Sequence, residues 1–223
     1  MTEVVAIDGP AASGKSTVAR RVAGELGFLY VDSGAMYRGI TWKALMEKVG
    51  VNEPAAIIRM LSRVAVDTYV SADSVRFRLD GVDPLRELRD REVAENVSLT
   101  AAIPEVRDRV NKWLREALRF GSLVVEGRDI GTAVFPDTPF KFYLDASPEE
   151  RARRRHAEGT DGEAASVHEV RQALKRRDTI DSGRQAAPLR VAPGATILDT
   201  TGLTIDKVVA LIVGHVRRPG GAA

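Results

Sequence analysis

One octapeptide near the start constrains this chain more than anything else in it. Gly9-Pro10-Ala11-Ala12-Ser13-Gly14-Lys15-Ser16 satisfies the pattern G-x-x-x-x-G-K-[ST] at every fixed position. Before it, Val4-Val5-Ala6-Ile7 is a short apolar run that ends in a turn signal, Asp8-Gly9-Pro10, and reads as a buried parallel strand. After it the period changes. Val18, Val22 and Leu26 share one helical face, and Gly27 stands where a C-cap belongs. Strand, glycine-rich loop and helix in that order demand an α/β fold with a parallel sheet. Gly9 and Gly14 permit backbone conformations closed to residues with a Cβ. The loop can then turn its N–H groups inward at a helix N-terminus and form a nest for anions. Lys15 supplies a point charge for β- and γ-phosphates, and the Ser16 hydroxyl suits Mg²⁺. The expected ATP contacts are Gly9, Pro10, Ala11, Ala12, Ser13, Gly14, Lys15, Ser16 and Thr17, with Ser16 as the metal ligand.

The rest of the chain extends the same alternation. Phe28–Val31, Leu123–Val125, Phe140–Leu144 and Thr196–Leu198 read as further strands, which makes a five-stranded parallel sheet flanked by helices. Helices are expected over about Met36–Val49, Glu105–Arg119 and Ile205–Val216. Another should start at Ser147-Pro148, an N-cap followed by proline. Val64 to Asp83 differs. It alternates at period two, with Asp73-Ser74 and Asp80-Gly81 as punctuation, and reads as a small antiparallel unit. His156 to Gly162 is polar and contains Gly159 and Gly162 as hinges between two arginine-rich helices. The Pro-Gly-Gly-Ala-Ala end is expected to be disordered.

Composition excludes several classes. The chain has 223 residues, enough for one α/β domain with an insertion. It has no cysteine, hence no disulfide framework, thiolate metal site or cysteine nucleophile. No stretch approaches the length of a membrane span, and the N-terminus is too short and acidic for a signal peptide, so a cytoplasmic protein is expected. The formal charge is +2, which does not suggest nucleic acid, and no basic stripe is interleaved with aromatics. Arginine instead clusters in Arg151–Arg155 and Lys175–Arg184, a pattern suited to a polyphosphate substrate.

The loop itself is silent on what receives the phosphoryl group. A GTPase needs a guanine-reading Asn-Lys-x-Asp, and Asn111-Lys112-Trp113-Leu114 lacks the acid. No Ser-Gly-Gly signature of a transporter ATPase is present. A small P-loop kinase remains, and its acceptor needs a cationic clamp. Arg38, Arg107, Arg128, Arg177 and Arg184 are the candidates, with Arg128 and Arg38 favoured because each follows a strand closely.

Several longer stretches go further. They are Asp32-Ser33-Gly34-Ala35-Met36-Tyr37-Arg38, Glu126-Gly127-Arg128-Asp129-Ile130-Gly131-Thr132, Tyr143-Leu144-Asp145-Ala146-Ser147, and Arg177-Asp178 through Asp181 to Arg184. With these the chain resembles, over nearly its whole length, the bacterial cytidylate kinases of the nucleoside monophosphate kinase family. The resemblance implies three parts. A core spans 1–63 and resumes over 101–223, a monophosphate-binding insert spans 64–100, and a lid lies at about 155–163, ahead of a tail at about 218–223. It also implies transfer of the γ-phosphoryl group of ATP to CMP or dCMP with Mg²⁺, by a monomer.

The resemblance assigns roles as well. Cytosine offers an amino donor where uracil offers an acceptor, so an acidic residue can tell them apart. Asp129 is the implied reader, with Ser98 and Arg107 on the same base. Arg177 and Asp181 would face the sugar, and Arg38, Arg128 and Arg184 the acceptor phosphate. Ser33 is preferred as a ligand over Asp32, which reads as a cap. Lys15, Arg128 and Arg184, with Arg153 and Arg154 from the lid, would neutralise the charge that spreads during transfer. Glu126 receives no role. Kinases of uridylate, thymidylate or shikimate, and a nucleic-acid-binding module, are the alternatives.

Overall fold

The structure, a computed structural model, describes residues 2–157 and 166–218. The expected lid segment, with Gly159 and Gly162, falls largely outside the described residues, as does the end of the tail. The elements follow in order: β1 (Val4–Asp8), α1 (Lys15–Leu26), β2 (Leu29–Asp32), α2 (Ser33–Met46), α3 (Pro54–Arg63), β3 (Val66–Ser71) and β4 (Ser74–Leu79). Then come α4 (Arg91–Thr100), α5 (Pro104–Glu116), β5 (Leu123–Gly127), β6 (Phe140–Asp145), α6 (Pro148–Ala157), α7 (Val167–Gly183), β7 (Thr196–Asp199) and α8 (Ile205–Val216).

Local chemistry explains the boundaries. Gly27 stops α1 in a left-handed conformation, φ 69°, that satisfies late carbonyls of the helix. α2 starts at Ser33, three residues ahead of the expected Met36, because the Asp32 carboxylate accepts from the Ala35 N–H at 2.9 Å and caps it. Ser166 and Glu169 form a reciprocal capping box at the start of α7.

The five expected strands are parallel and lie in the order β2-β5-β1-β6-β7. The period-two segment is an antiparallel hairpin, β3–β4, but it does not stand apart from them. β4 docks on β2 through Tyr30 and Ser74 and widens the sheet to seven strands. Val75, Phe77 and Leu79 of the hairpin are buried in the same apolar cluster as the core strands, and this burial holds the hairpin there.

Strand alternation splits the core between the two faces of the sheet. Ala6, Val31, Leu123 and Val125 point to one face, against Ile40, Ile57, Val106 and Leu114 of α2, α3 and α5. Val5, Ile7, Val124, Phe142 and Leu144 point to the other, against α1 and α8. α8 buries Val208, Val209, Ile212 and Val213 there, each contributing about 1.5–3 kcal/mol relative to exposure. A third, small cluster of Ala11, Ala152, Val170 and Leu174 seats α6 and α7 on the shoulder of the phosphate loop. Pairing sets Asp8 beside both Gly127 and Tyr143, and Asp32 beside Glu126. The carboxyl ends of β1, β2, β5 and β6 therefore open on one cleft, where ligands of such sheets bind.

Candidate active site

The phosphate loop leaves β1 by a conformation only glycine tolerates there. Gly9 has φ +151°, and a Cβ on it would lie 2.1 Å from the Leu144 carbonyl oxygen. Gly14, at φ 89°, then turns the chain into α1. Lys15 is buried, and its ammonium donates to the Pro10 carbonyl at 2.5 Å and to the Ser13 hydroxyl at 3.3 Å. Burial, with the Arg128 charge nearby, lowers it to about 7 against the pull of Glu126 and Asp8. Gly14, Lys15, Ser16 and Thr17 line the cleft together with Ala11 and Ala12.

Glu126, which the sequence left without a role, sits at the centre of this side. It is buried at the end of β5, accepts from the Tyr30 hydroxyl at 2.5 Å, and lines the cleft with Ser16. Burial, then the Asp32 charge, pushes its carboxyl up, while Lys15 pulls it down. Asp32 is the cap its residue type suggested, and its other oxygen accepts from Arg38 at 2.8 Å. The Ser33 hydroxyl donates to the Glu126 carbonyl at 2.7 Å and lines the cleft.

Across the cleft stands an array of cations with two buried counter-ions. Arg107, from α5, donates to the Asp129 carboxylate and to the Ala101 carbonyl at 3.0 Å. The side chains of this pair are 3% and 5% exposed. Asp181, from α7, lies between Arg128 at 3.1 Å and Arg184 at 3.6 Å. Burial and the neighbouring Arg128 lower Arg177 to about 10, and burial and Arg107 lower Arg184. The Nε atoms of Arg107, Arg177 and Arg184 are buried without a hydrogen-bond partner, which leaves donor capacity in a cleft built to take an anion. Ser98, from α4, closes this end.

The arrangement brings Ser33, Arg38, Ser98, Arg107, Arg128, Asp129, Arg177, Asp181 and Arg184 to one cleft with the phosphate loop. It does not bring Arg153 there. Arg153 is 75% exposed on its side chain and pairs with Glu150 at 2.5 Å on the outer face of α6. Arg154 turns to the back of the loop, donating to the Ser13 carbonyl at 3.3 Å and the Thr200 carbonyl at 2.9 Å. Helical phase is the reason. Arg151 and Arg155, four apart, take the inner face. Arg155 lines the cleft, while Arg151 bonds Asp178 at 2.5 Å and the Ala11 carbonyl at 3.2 Å. Sequence reasoning missed Arg155, Arg151 and Asp8. The (i, i+4) spacing of the two arginines was the one signal available.

Two comparisons with known proteins bear on this site. The cytidylate kinase family model matches residues 5–218. The cytidylate kinase of Caldanaerobacter subterraneus subsp. tengcongensis is 44% identical over 219 residues, which cover 98% of this chain and 96% of that protein. The cytidylate kinase of Pelotomaculum thermopropionicum is 44% identical over 214 residues, 95% of each chain. That of Desulforamulus reducens is 42% identical over 221 residues, 98% of this chain and 99% of the relative. Phosphate loop, buried arginine array and full-length similarity agree, and the chain belongs to the cytidylate kinase family, whose ATP-dependent nucleoside monophosphate kinase activity it carries.

Proposed function

We propose that the cleft holds ATP on the phosphate loop and CMP or dCMP against the arginine array, with Asp129 reading the base. The observation that carries this reading is the buried guanidinium set opposite the loop. Arg107, Arg177 and Arg184 each keep an unpartnered Nε there, and Asp129 and Asp181 hold the array together. The Asp129 carboxylate would accept from the cytosine amino group, with Arg107 and Ser98 beside it. Arg38, Arg128 and Arg184 would hold the acceptor phosphate, and Arg177 and Asp181 the sugar.

The residues present fit Mg²⁺. The Ser16 hydroxyl and the Glu126 carboxylate, which both line the cleft, are an oxygen-only pair of the kind a hard divalent cation accepts. Among the described residues no cluster of three or more histidine, cysteine or acidic side chains could cage a metal by itself. When bound, the ion would neutralise charge on the β- and γ-phosphates.

The chemistry is in-line transfer of the γ-phosphoryl group to the 5′-phosphate of the acceptor. The attacking oxygen is already an anion near neutral pH, since the second pKa of a monophosphate is about 6, and no general base is needed. Positioning and charge neutralisation remain for the protein to supply. Lys15 would follow the transferred group, with Arg128, Arg184 and Arg155 around it. The test is ADP release from ATP and Mg²⁺ with CMP, dCMP, UMP, dTMP, AMP or GMP as sole acceptor. Fast turnover confined to CMP and dCMP is the expected result. Equal turnover with UMP would remove Asp129 from the base site.

A further inference from the structure

Asp8 is a carboxylate that the mechanism above does not use. It ends β1, a strand otherwise made of Val4, Val5, Ala6 and Ile7, and it is 3% exposed. Its two oxygens take two successive backbone donors from far along the chain. Oδ1 accepts from the Ile130 N–H and Oδ2 from the Gly131 N–H, both at 2.8 Å. These donors open the π-type helical turn Ile130–Val134, in which the Ala133 N–H donates to the Asp129 carbonyl at 2.8 Å. The turn has no room to shift toward the strand before it. A Cβ on Gly127 would lie 2.7 Å from the Ile130 side chain and from the Ser33 hydroxyl.

We propose that Asp8 is a positioning residue for the acceptor side of the reaction: its carboxylate fixes the turn after β5 so that Arg128 and Asp129 face the cleft. Two charge-assisted bonds to adjacent N–H groups set both the height and the tilt of the segment that follows Arg128-Asp129. Because Asp8 precedes Gly9, the same side chain ties the acceptor segment to the first residue of the phosphate loop, so the two substrates share one reference point. Burial pushes the Asp8 carboxyl up to about 6 although both N–H groups pull it down. A strand needing only packing would be better served by an apolar residue at this position.

The inference rests on the reading of Asp129 as base contact and Arg128 as phosphate contact, and the experiment separates the two. Asp8→Asn keeps one acceptor and sets an NH₂ group against the second N–H. We expect kcat/KM for CMP to fall about 10–100-fold, the loss typical of a displaced contact group. The CMP-over-UMP preference should shrink with it, while KM for ATP stays within about twofold. A loss shared equally between ATP and CMP, or no change in either, would overturn the proposal. Asp129→Asn is measured alongside. If it leaves the preference intact while Asp8→Asn still raises KM for CMP alone, base reading by Asp129 fails and the positioning role stands through Arg128. If Asp129→Asn shifts the preference and Asp8→Asn does nothing, only the positioning role fails. Should Asp8→Asn not fold, amide exchange by NMR on the unaltered protein decides. The Ile130 and Gly131 protons should exchange slowly, and exchange at the rate of an open loop would refute the bonds.

Discussion

Asp129→Asn is the sharpest perturbation of the base site, because the fold dictates which way the new amide must turn. Arg107 is donor-only, and its guanidinium already bonds one Asp129 oxygen. In the variant the amide oxygen has to stay on Arg107, since the opposite rotamer would press NH₂ against a guanidinium in a nearly dry site. The amide NH₂ is then forced toward the cleft that Asp129 lines. Where the native residue offers an acceptor to the cytosine amino group, the variant offers a donor. That donor opposes cytosine and suits O4 of uracil. One good base contact discriminates by about 1–3 kcal/mol, so the CMP-over-UMP ratio of kcat/KM should fall about 5- to 150-fold. The variant also weakens a buried ion pair. Removing a partner outright costs about 3–5 kcal/mol, and the retained hydrogen bond keeps the loss below that, so the comparison belongs at a temperature well under the variant's Tm. The assay is ADP release at saturating ATP with each acceptor varied. A ratio within twofold of the unaltered enzyme, from folded variant protein, would refute the base-reading role and leave Asp129 as a counter-ion for Arg107.

Three further outcomes follow from the geometry. Gly9→Ala places a Cβ 2.1 Å from the Leu144 carbonyl oxygen, so it should cost well over about 1 kcal/mol in urea unfolding and weaken ATP binding, and an unchanged Tm with unchanged KM for ATP would show that the loop departs from β1 differently. Arg154→Ala strips support from the Ser13 carbonyl and should raise KM for ATP several-fold, whereas Arg153→Ala, 75% exposed, should leave kcat and both KM values within about twofold; the reverse ranking in steady-state kinetics would sink the assignment of faces on α6. Asp8 is raised from 3.8 to about 6, so the folded protein binds a proton that the unfolded chain has lost between those values; its contribution to stability, fully present below pH 3.8, is lost as pH rises toward 6, by about 3 kcal/mol. Urea unfolding of the native protein and Asp8→Asn across that window should show their stability difference falling by this amount, and a flat difference would refute a raised Asp8.

What could be read from the chain, and what could not, divides along the range of the interactions. The phosphate loop is legible because its constraints are local: two glycines, one lysine, one hydroxyl, and a change of period on either side. The hairpin's strands were legible for the same reason, but not their docking on β2, which depends on Phe77 and Leu79 finding a core that other segments supply. Which of the arginines of α6 turn inward could not be read, because Pro148–Ala157 offers almost no apolar pattern to set its phase. Only Ala152, seated against Ala11 and α7, fixes which face turns in. Asp8 looked like a turn former, and its partners lie 122 and 123 residues away.

The segment from Arg177 to Arg184 is the instructive middle case. Arg177 and Asp181 are spaced i and i+4 on one face of a helix, α7 delivers both to the cleft, and Arg184, the extended residue that caps its C-terminus, joins them there. Asp178 is one residue out of that phase, and it points instead to the phosphate loop, where it meets Arg151 at 2.5 Å and the Ala11 N–H at 3.4 Å. One helix thus presents cations to the cleft and a carboxylate to the phosphate loop. Which carboxylate serves which purpose follows from helical period alone once the face of Arg177 is known. Clustering arginines in a buried cleft requires counter-ions, and Asp129 and Asp181 supply them. On the proposed reading Asp129 and Asp181 also contact the acceptor nucleotide, and a substitution cannot separate that duty from the counter-ion one without a compensating charge. A variant that removes Asp181 should lose hold of Arg128 and Arg184 together rather than one contact to a sugar.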